Sequence, residues 1–192
     1  MPKQRITKEM VVDAAFELAR QGGMERVMVK HIAEKLGCSV QPIYSYCNNM
    51  DGLRSDVEQR ARLFLQTYIA ARIDKNDPFR STGRAYLQLA KEEPNILKIF
   101  VLQKRAHVCS LNDLYRLEAD EQLPEAIAGK LNISVESAKR LHLNMLIYTI
   151  GIGTIFSVTT PGIEIEEIYA QQEAAYDAFL KQALGRNDKL HA

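Results

Sequence analysis

Polar side chains of the kinds that contact DNA are concentrated in one short stretch, Ser39-Val-Gln-Pro-Ile-Tyr-Ser-Tyr46. The amide of Gln41 can form paired hydrogen bonds with the edge of an adenine base. The hydroxyls of Tyr44 and Tyr46 can donate to phosphates, and their rings can pack on thymine methyl groups. A short hydroxyl side chain such as Ser45 suits a phosphate oxygen. The stretch therefore predicts a segment that reads base edges and holds the DNA backbone beside them.

The preceding residues would position this stretch as the second helix of a helix-turn-helix. Apolar residues recur at helical spacing in Val29-Lys-His-Ile-Ala-Glu-Lys-Leu36, and Gly37 can adopt the positive φ of a tight turn. Ser39 is placed to cap the next helix, and Pro42 is tolerated in its first turn, where backbone amides lack helical partners. Ile43 would anchor this helix in the core, which leaves its polar side chains for the major groove.

Basic and short polar residues on either side extend the predicted contact. Lys3 and Arg5 form a small basic arm, Lys30 stands near the start of the preceding helix, and Asn49 follows the recognition segment. Structural interpretations stay open, because Tyr44 could pack between helices and Lys30 could be an ordinary solvated charge. The predicted DNA-binding residues are Lys3, Arg5, Lys30, Ser39, Gln41, Pro42, Tyr44, Ser45, Tyr46 and Asn49.

Helical periodicity continues through the rest of the chain, and no segment reads convincingly as a strand. A first helix should begin near Thr7 and end at Gly22-Gly23, and Asn49 should cap a long helix that runs to about Arg72. Further helices are expected at about 79–92, 94–102, 123–131, 134–157 and 163–184, whereas 107–120 allows no fixed boundaries. The sequence predicts an all-α fold, with a helix-turn-helix domain over residues 1–50 and a larger helical domain over residues 51–192.

Charge and composition permit DNA binding without demonstrating it. The net charge of the 192 residues is +1, with eleven Lys and Arg against eight Asp and Glu in residues 1–72 and fourteen against sixteen in residues 73–192. A strongly basic domain would be a clearer electrostatic footprint. The N-terminal residues lead into an amphipathic helix rather than an apolar signal segment, so a cytoplasmic protein is expected.

The three cysteines raise two further hypotheses. Their odd number argues against a disulfide framework. Cys38 and Cys47 bracket the recognition segment, which suggests a redox switch, but nothing adjacent would activate the thiols, and buried cysteine is common. His107-x-Cys109 resembles half of a metal site without a second pair at ligand spacing. The sequence therefore predicts no metal and no cofactor, and it leaves redox sensing by Cys38 or Cys47 open.

One apolar run, Leu141–Val158, has to be weighed as a membrane span. It is shorter than the ~20 predominantly apolar residues that a span needs. It also contains His142, Asn144 and two glycines. We interpret the run as a buried interface helix.

The N-terminal part of the chain resembles the TetR-type repressors over roughly residues 6–54. The family has an aliphatic pair and alanines in its first helix, Ile-Ala in the second, a Gly-Val-Ser turn, and a Leu-Tyr-x-His-Phe recognition helix. The residues that stand at these spacings are Val11-Val-Asp-Ala-Ala15, Leu18, Gly22, Ile32-Ala33, Gly37-Cys-Ser39, Ile43-Tyr44 and Leu53. The C-terminal part is similar to the family only in being helical, of similar length, and ending in two long helices.

Three departures from the family pattern concern contacts rather than fold. Tyr46-Cys47 replaces the family's His-Phe, so a smaller residue fills the aromatic's core position. Met50 replaces the lysine before the fourth helix, which removes an expected phosphate contact. Met28 replaces the threonine usual before the second helix.

The resemblance implies a ligand-responsive repressor that binds a palindromic operator as a homodimer and is released by a small molecule. The last two long helices would pair with their copies in the partner chain, and residues 51–192 would form an effector-binding and dimerisation domain. An apolar or aromatic effector is expected from the candidate pocket residues, which are Tyr68, Tyr86, Phe100, Gln103, His107, Asn144 and Tyr148.

Two other classes of protein remain as alternatives. An enzyme is disfavoured because the sequence has no GxSxG, P-loop or HExxH motif and its four histidines are scattered. A helical adaptor, whose helix-turn-helix contacts protein instead of DNA, is kept open by the weak basic charge and by Met50.

Overall fold

The computed structural model of the protein describes residues 6–46, 49–103, 107–159 and 161–187. Within these ranges the chain forms ten α-helices, a short 3₁₀ turn at Met24–Arg26, and no strand. The predicted all-α fold is confirmed.

Four helices make up the N-terminal head and the long helix that leaves it. They are α1 (Lys8–Gly22), α2 (Val29–Leu36), α3 (Val40–Tyr46) and α4 (Met50–Ala70). The side chain of Thr7 caps α1 by accepting from the amide of Met10 at 3.2 Å, as predicted. Gly23, with a φ of 85°, ends α1.

Six helices follow in the C-terminal part. They are α5 (Pro78–Glu92), α6 (Pro94–Val101), α7 (Leu111–Glu118), α8 (Leu123–Leu131), α9 (Val135–Thr159) and α10 (Ile165–Asn187). The predicted boundaries agree to within about three residues. The segment that was given no boundaries contains α7. The cap predicted at Ser134 is confirmed, because its hydroxyl oxygen accepts from the amide of Ser137 at 3.1 Å.

Buried apolar side chains form three clusters. The first, which we call the head core, combines residues of α1 to α4, such as Val11, Ile32 and Ile43, with Ile96 and Ile99 of α6. The second lies between α8, α9 and α10, and the third between α4, α5, α6, α9 and α10. The head core therefore continues from the helix-turn-helix into the C-terminal part.

Ion pairs fasten α1 along α4. Lys8 pairs with Asp56 at 3.0 Å, and Asp13 pairs with Arg60 at 2.9 Å, so the two helices run side by side in the same direction. At the end of α1, Arg20 forms a forked ion pair with Glu93, the residue between α5 and α6. α1 is thus fastened to α4 along its length and to the junction of α5 and α6 at its C-terminal end.

Candidate nucleic-acid interface

A left-handed glycine lets the chain turn sharply between α2 and α3. Gly37 ends α2 with a φ of 64°, and the amide of Cys38 donates to the carbonyl of Ala33 at 3.0 Å. Glycine adopts this conformation at little cost because it has no Cβ. A Cβ at this position would meet no atom within 4 Å, so the need for glycine is conformational rather than steric.

One buried side chain holds α3, and most of the others face solvent. Ile43 is fully buried in the head core, as predicted, whereas Tyr44 is 63% exposed. Gln41 and Ser45 are exposed as well. Tyr46 is half-buried and packs against the head core, so its ring also has a structural role. The outward position of Tyr44 favours a contact role over packing between helices.

The two serines of the recognition segment differ from the prediction. The Ser45 hydroxyl donates to the carbonyl of Gln41 at 3.2 Å. Its oxygen can therefore accept a hydrogen bond from another group, but its proton is already used. The predicted Ser39 cap is not formed, since its side chain makes no hydrogen bond within the described ranges. A capping oxygen accepts from the second or third amide of the helix, and the third residue here is Pro42, which has no N–H. Ser39 therefore leaves its hydroxyl exposed.

The N-terminus of α4 lies directly after the recognition segment. Asn49 caps it as predicted, because the amide of Gly52 donates to the side-chain oxygen of Asn49 at 2.7 Å. The cap uses the oxygen, so the NH₂ group can still donate to a phosphate. The partial positive charge of a helix N-terminus favours the same contact.

Of the basic residues predicted to contact the DNA backbone, the structure describes only Lys30. Lys30 lies in the first turn of α2, and its side chain is 77% exposed, with Glu34 as an ion-pair partner at 3.9 Å. Such a long, exposed pair contributes little to stability, so the ammonium group can reach other anions. Lys3, Arg5 and Cys47 lie outside the described residues.

Arg54 is a candidate contact that the sequence reading missed. It lies one helical turn after Met50 on the same side of α4, and its side chain is 51% exposed. Its partner Asp51 is 3.9 Å away and 91% exposed, so that pair is weak. The sequence signal for it was an arginine four residues after Met50, the position at which the family has a lysine. There Arg54 can supply the positive charge that Met50 lacks.

The candidate effector residues are spread over several parts of the body. Tyr68 and Tyr86 pack in the same apolar cluster, whereas Phe100 packs against the head core and His107 is exposed. Gln103 and Asn144 are half-buried, and Tyr148 donates to the carbonyl of Gln171 at 3.3 Å. The seven residues stay a prediction.

Tyr68 belongs to a polar group at the end of α4. Its hydroxyl donates to Glu92, and the guanidinium of Arg72 lies 3.5 Å from the centre of its ring. Burial, helped by the neighbouring carboxylate, raises the pKa of Tyr68. The hydrogen bond from Tyr68 lowers the pKa of Glu92, which is also 3.7 Å from Arg72. These contacts fasten the C-terminal end of α4 to α5.

A second polar group that the sequence did not reveal surrounds His142 on α9. The Tyr115 hydroxyl is 2.8 Å from Nδ1 of His142, and the ring of Phe79 contacts the imidazole edge-on. Burial lowers the pKa of His142 to about 4 and raises the pKa of Tyr115 to about 12. Both pKa shifts are consistent with a neutral imidazole whose Nδ1 accepts a hydrogen bond from the Tyr115 hydroxyl. Tyr115 lies in the segment to which no boundaries were given, so its partner could not be inferred.

No metal site is found in the described ranges, where no group of three or more His, Cys, Asp or Glu side chains could hold an ion. Cys38 is half-buried at the turn before α3, and Cys109 is exposed. The hypothesis of redox sensing by Cys38 or Cys47 stays a prediction, because Cys47 lies outside the described residues and nothing tests Cys38.

Comparisons with known proteins agree with this arrangement. The family described as "Bacterial regulatory proteins, tetR family" matches residues 11–57, which run from α1 into α4. A relative from Bacillus subtilis (strain 168), the "Uncharacterized HTH-type transcriptional regulator YobS", is 28% identical over 115 residues. That alignment spans 57% of this chain and 60% of the relative's length.

Two solved structures share the fold over almost the whole chain. A TetR-like transcriptional regulator from Rhodococcus sp. RHA1 aligns with a TM-score of 0.62 and 15% identity, covering 92% of this chain and 96% of that one. A proposed TetR-family transcriptional regulator from Mesorhizobium loti MAFF303099 gives a TM-score of 0.56 and 16% identity, covering 91% and 95%. The helix-turn-helix part of the chain thus matches the tetR family of bacterial regulatory proteins, and the chain as a whole shares the fold of these two regulators.

Proposed function

We propose that this protein is a cytoplasmic DNA-binding transcriptional regulator that contacts its operator through α3. The observation that carries the proposal is the exposure of α3. The helix buries Ile43 and turns Gln41 and Tyr44 to solvent directly after a left-handed turn. An amide and a phenol on one short helix suit base edges and phosphates in a major groove.

We further propose that two copies pair through α9 and α10. One side of α9 exposes apolar side chains to solvent around a glycine with no neighbouring atoms above it. Its residues recur every three or four positions: Ile147, Gly151, Ile155 and Val158. By length and composition alone α9 could cross a membrane, with a mean hydropathy of 1.5 over 18 residues of which 33% are buried. A second copy would cover this apolar surface in water.

An exposed face of α10 supports the same pairing. Ala170, Ala174 and Ala178 recur every fourth residue and are all exposed. Small side chains let two helices approach closely and pack their larger neighbours between them. Two copies related by a two-fold axis would present two α3 helices, which fits a palindromic operator.

Repression released by a small molecule completes the proposed function. A ligand that favours an arrangement with the two recognition helices mis-spaced lowers operator affinity, and the coupling is reciprocal. α4 is suited to transmit the change, because it packs against the head at one end and bonds to Glu92 through Tyr68 at the other.

Binding to DNA that flanks the protein's own coding region tests the DNA-binding proposal. Fluorescence anisotropy with labelled duplexes should show specific, salt-sensitive binding that is much tighter than binding to random DNA of equal length. Gln41→Ala and Tyr44→Ala should each weaken specific binding about tenfold or more. Gln66→Ala serves as the control, because it removes an exposed glutamine from α4 outside the recognition segment.

Two outcomes would count against an operator contact through α3. Binding no tighter than to random DNA would favour the adaptor alternative. Specific binding that survives both substitutions in α3 would place the contact elsewhere on the protein.

Sedimentation equilibrium tests the pairing. Ile155, which is 54% exposed, is replaced by lysine, and the exposed Leu117 of α7 is replaced in the same way as a matched control. A charge in the centre of an apolar interface should shift Ile155→Lys to monomer while Leu117→Lys stays dimeric. A wild-type protein that is monomeric at micromolar concentration would contradict the proposal.

The release mechanism requires differential ligand affinity. An effector found by screening should bind free protein more tightly than operator-bound protein, by the same factor by which it weakens operator binding. Equal affinity for both forms would exclude release by a population shift.

A further inference from the structure

A cleft of about 290 Å³ opens on the outer side of the seam between α1 and α4. Its floor is formed by Phe16 of α1 and Phe64 of α4, whose ring centres are 5.8 Å apart. Leu63 forms an apolar wall and is 51% exposed, and Thr67 stands at the far end. The volume is at the lower end for small-molecule sites, which fits a compact ligand.

Each of the two helices also places an arginine over the other's phenylalanine. The guanidinium of Arg20 lies 5.1 Å from the centre of the Phe64 ring, and that of Arg60 lies 5.9 Å from the centre of the Phe16 ring. Both arginines line the cleft. An aromatic floor beside positive charge suits a ligand that combines a flat apolar body with an anionic group.

The two arginines differ in the donors they have left. Arg20 is engaged by Glu93 in a forked pair, and that hydrogen bond raises its pKa, with Glu17 3.7 Å away on its other side. Arg60 donates only its Nε to Asp13, at 2.9 Å, and its two terminal nitrogens make no bond within the described ranges. Arg60 therefore offers a free edge that can hold a carboxylate through two parallel N–H donors.

The length of the cleft sets the size of the ligand. Seven residues of α4 separate Arg60 from Thr67, which at 1.5 Å per residue is ~10 Å. The Thr67 hydroxyl donates to the carbonyl of Leu63 at 2.9 Å, so only its lone pairs face a ligand. This spacing corresponds to about the length of a two-ring aromatic body with one carboxylate.

We propose that this cleft is a binding site for a small aromatic carboxylate, held by Arg60 through the carboxylate and by Leu63 and Phe64 through the ring. The site is separate from the predicted effector residues, none of which lines the cleft. It lies on the contact between the head and the helix that connects the head to the body.

Titration of the full chain with 2-naphthoate tests the site. The chain contains no tryptophan, so the fluorescence anisotropy of the probe can be followed without indole emission. Saturable binding of one 2-naphthoate per chain is expected. The neutral amide, 2-naphthamide, should bind about tenfold more weakly or worse, because a charge-assisted hydrogen bond to Arg60 is lost.

Variants distinguish probe binding in this cleft from binding to other apolar surface of the protein. Arg60→Gln should weaken 2-naphthoate about tenfold and leave 2-naphthamide unchanged, and Leu63→Ala should weaken both. Arg62→Gln is the matched control, because Arg62 lies on the same helix over Phe100, outside the cleft. Thermal unfolding of each variant verifies that it folds.

Amide chemical-shift mapping then locates the bound probe. Shifts concentrated in residues 16–20 and 60–67 are the expected result. Absence of saturable binding, equal affinity for acid and amide, an unaffected Arg60→Gln variant, or shifts confined to other helices would each overturn the proposal.

Discussion

The half-buried imidazole of His142 makes the stability of the fold depend on pH in the mildly acidic range. Burial lowers its pKa from the ordinary 6.5 to about 4 in the folded protein. Between these values the unfolded chain binds a proton that the folded protein excludes. The folded state is therefore favoured in full above pH 6.5 and loses stability as the pH falls toward 4.

The size of the effect follows from the two pKa values. One pKa unit corresponds to about 1.4 kcal/mol, so the complete shift is worth about 3 kcal/mol. Lowering the pH from 7.5 to 5 should remove about 2 kcal/mol of unfolding free energy through His142 alone. Protonation would also remove the acceptor for the Tyr115 hydroxyl, which is 2.8 Å from Nδ1.

Urea unfolding of the wild type and of His142→Asn at pH 7.5 and pH 5 measures this contribution. Asparagine can accept from Tyr115 with its oxygen and does not titrate in this range. The variant should be less stable at pH 7.5 because it fills less volume, and it should lose about 2 kcal/mol less on acidification. Equal losses in the two proteins would refute the assignment of His142 as a neutral base in the folded protein, because other titrating groups are common to both.

Three further predictions concern the packing of the fold and the DNA interface. Ile43→Ala should lower the unfolding free energy by about 2–5 kcal/mol in urea titrations, because Ile43 is the fully buried side chain that anchors α3 in the head core, and a loss below 1 kcal/mol would contradict that burial. Gly83→Ala should lower the melting temperature, since its Cβ would overlap the buried side-chain amide of Gln172, and adding Gln172→Ala should restore it. A destabilised double variant would point to a backbone cause instead. Arg54→Gln should reduce by about one the slope of operator affinity against salt, and an unchanged slope would remove Arg54 from the contact.

Local signals in the sequence were sufficient for the helices and for the recognition segment. Thr7, Gly37 and Asn49 are residues whose conformational preferences are local, and each ends or begins a helix where predicted. The Ser39 cap was wrong for a local reason as well, because Pro42 removes the third amide of α3. That conflict could have been read from the sequence.

Contacts between distant segments could not be predicted in the same way. His142 and Tyr115 are 27 residues apart, and Arg20 and Glu93 are 73 apart, so no helical period relates them. The predicted effector residues were chosen as polar or aromatic side chains in apolar stretches. That pattern also describes ordinary core residues, and the structure places Phe100 against the head core rather than with Tyr68.

The boundary proposed between residues 50 and 51 separates the chain by motif, but the packing is continuous across it. Leu53, Val57 and Ala61 of α4 are buried in the head core together with Ile96 and Ile99 of α6. Packed interiors transmit displacement because they are close to the density of organic crystals. In the proposed regulator, movement of α6 would therefore displace the head directly through this core, as well as through α4. Substitutions of Ile96 or Ile99 should accordingly alter operator affinity even without an effector, although neither residue approaches α3's exposed face.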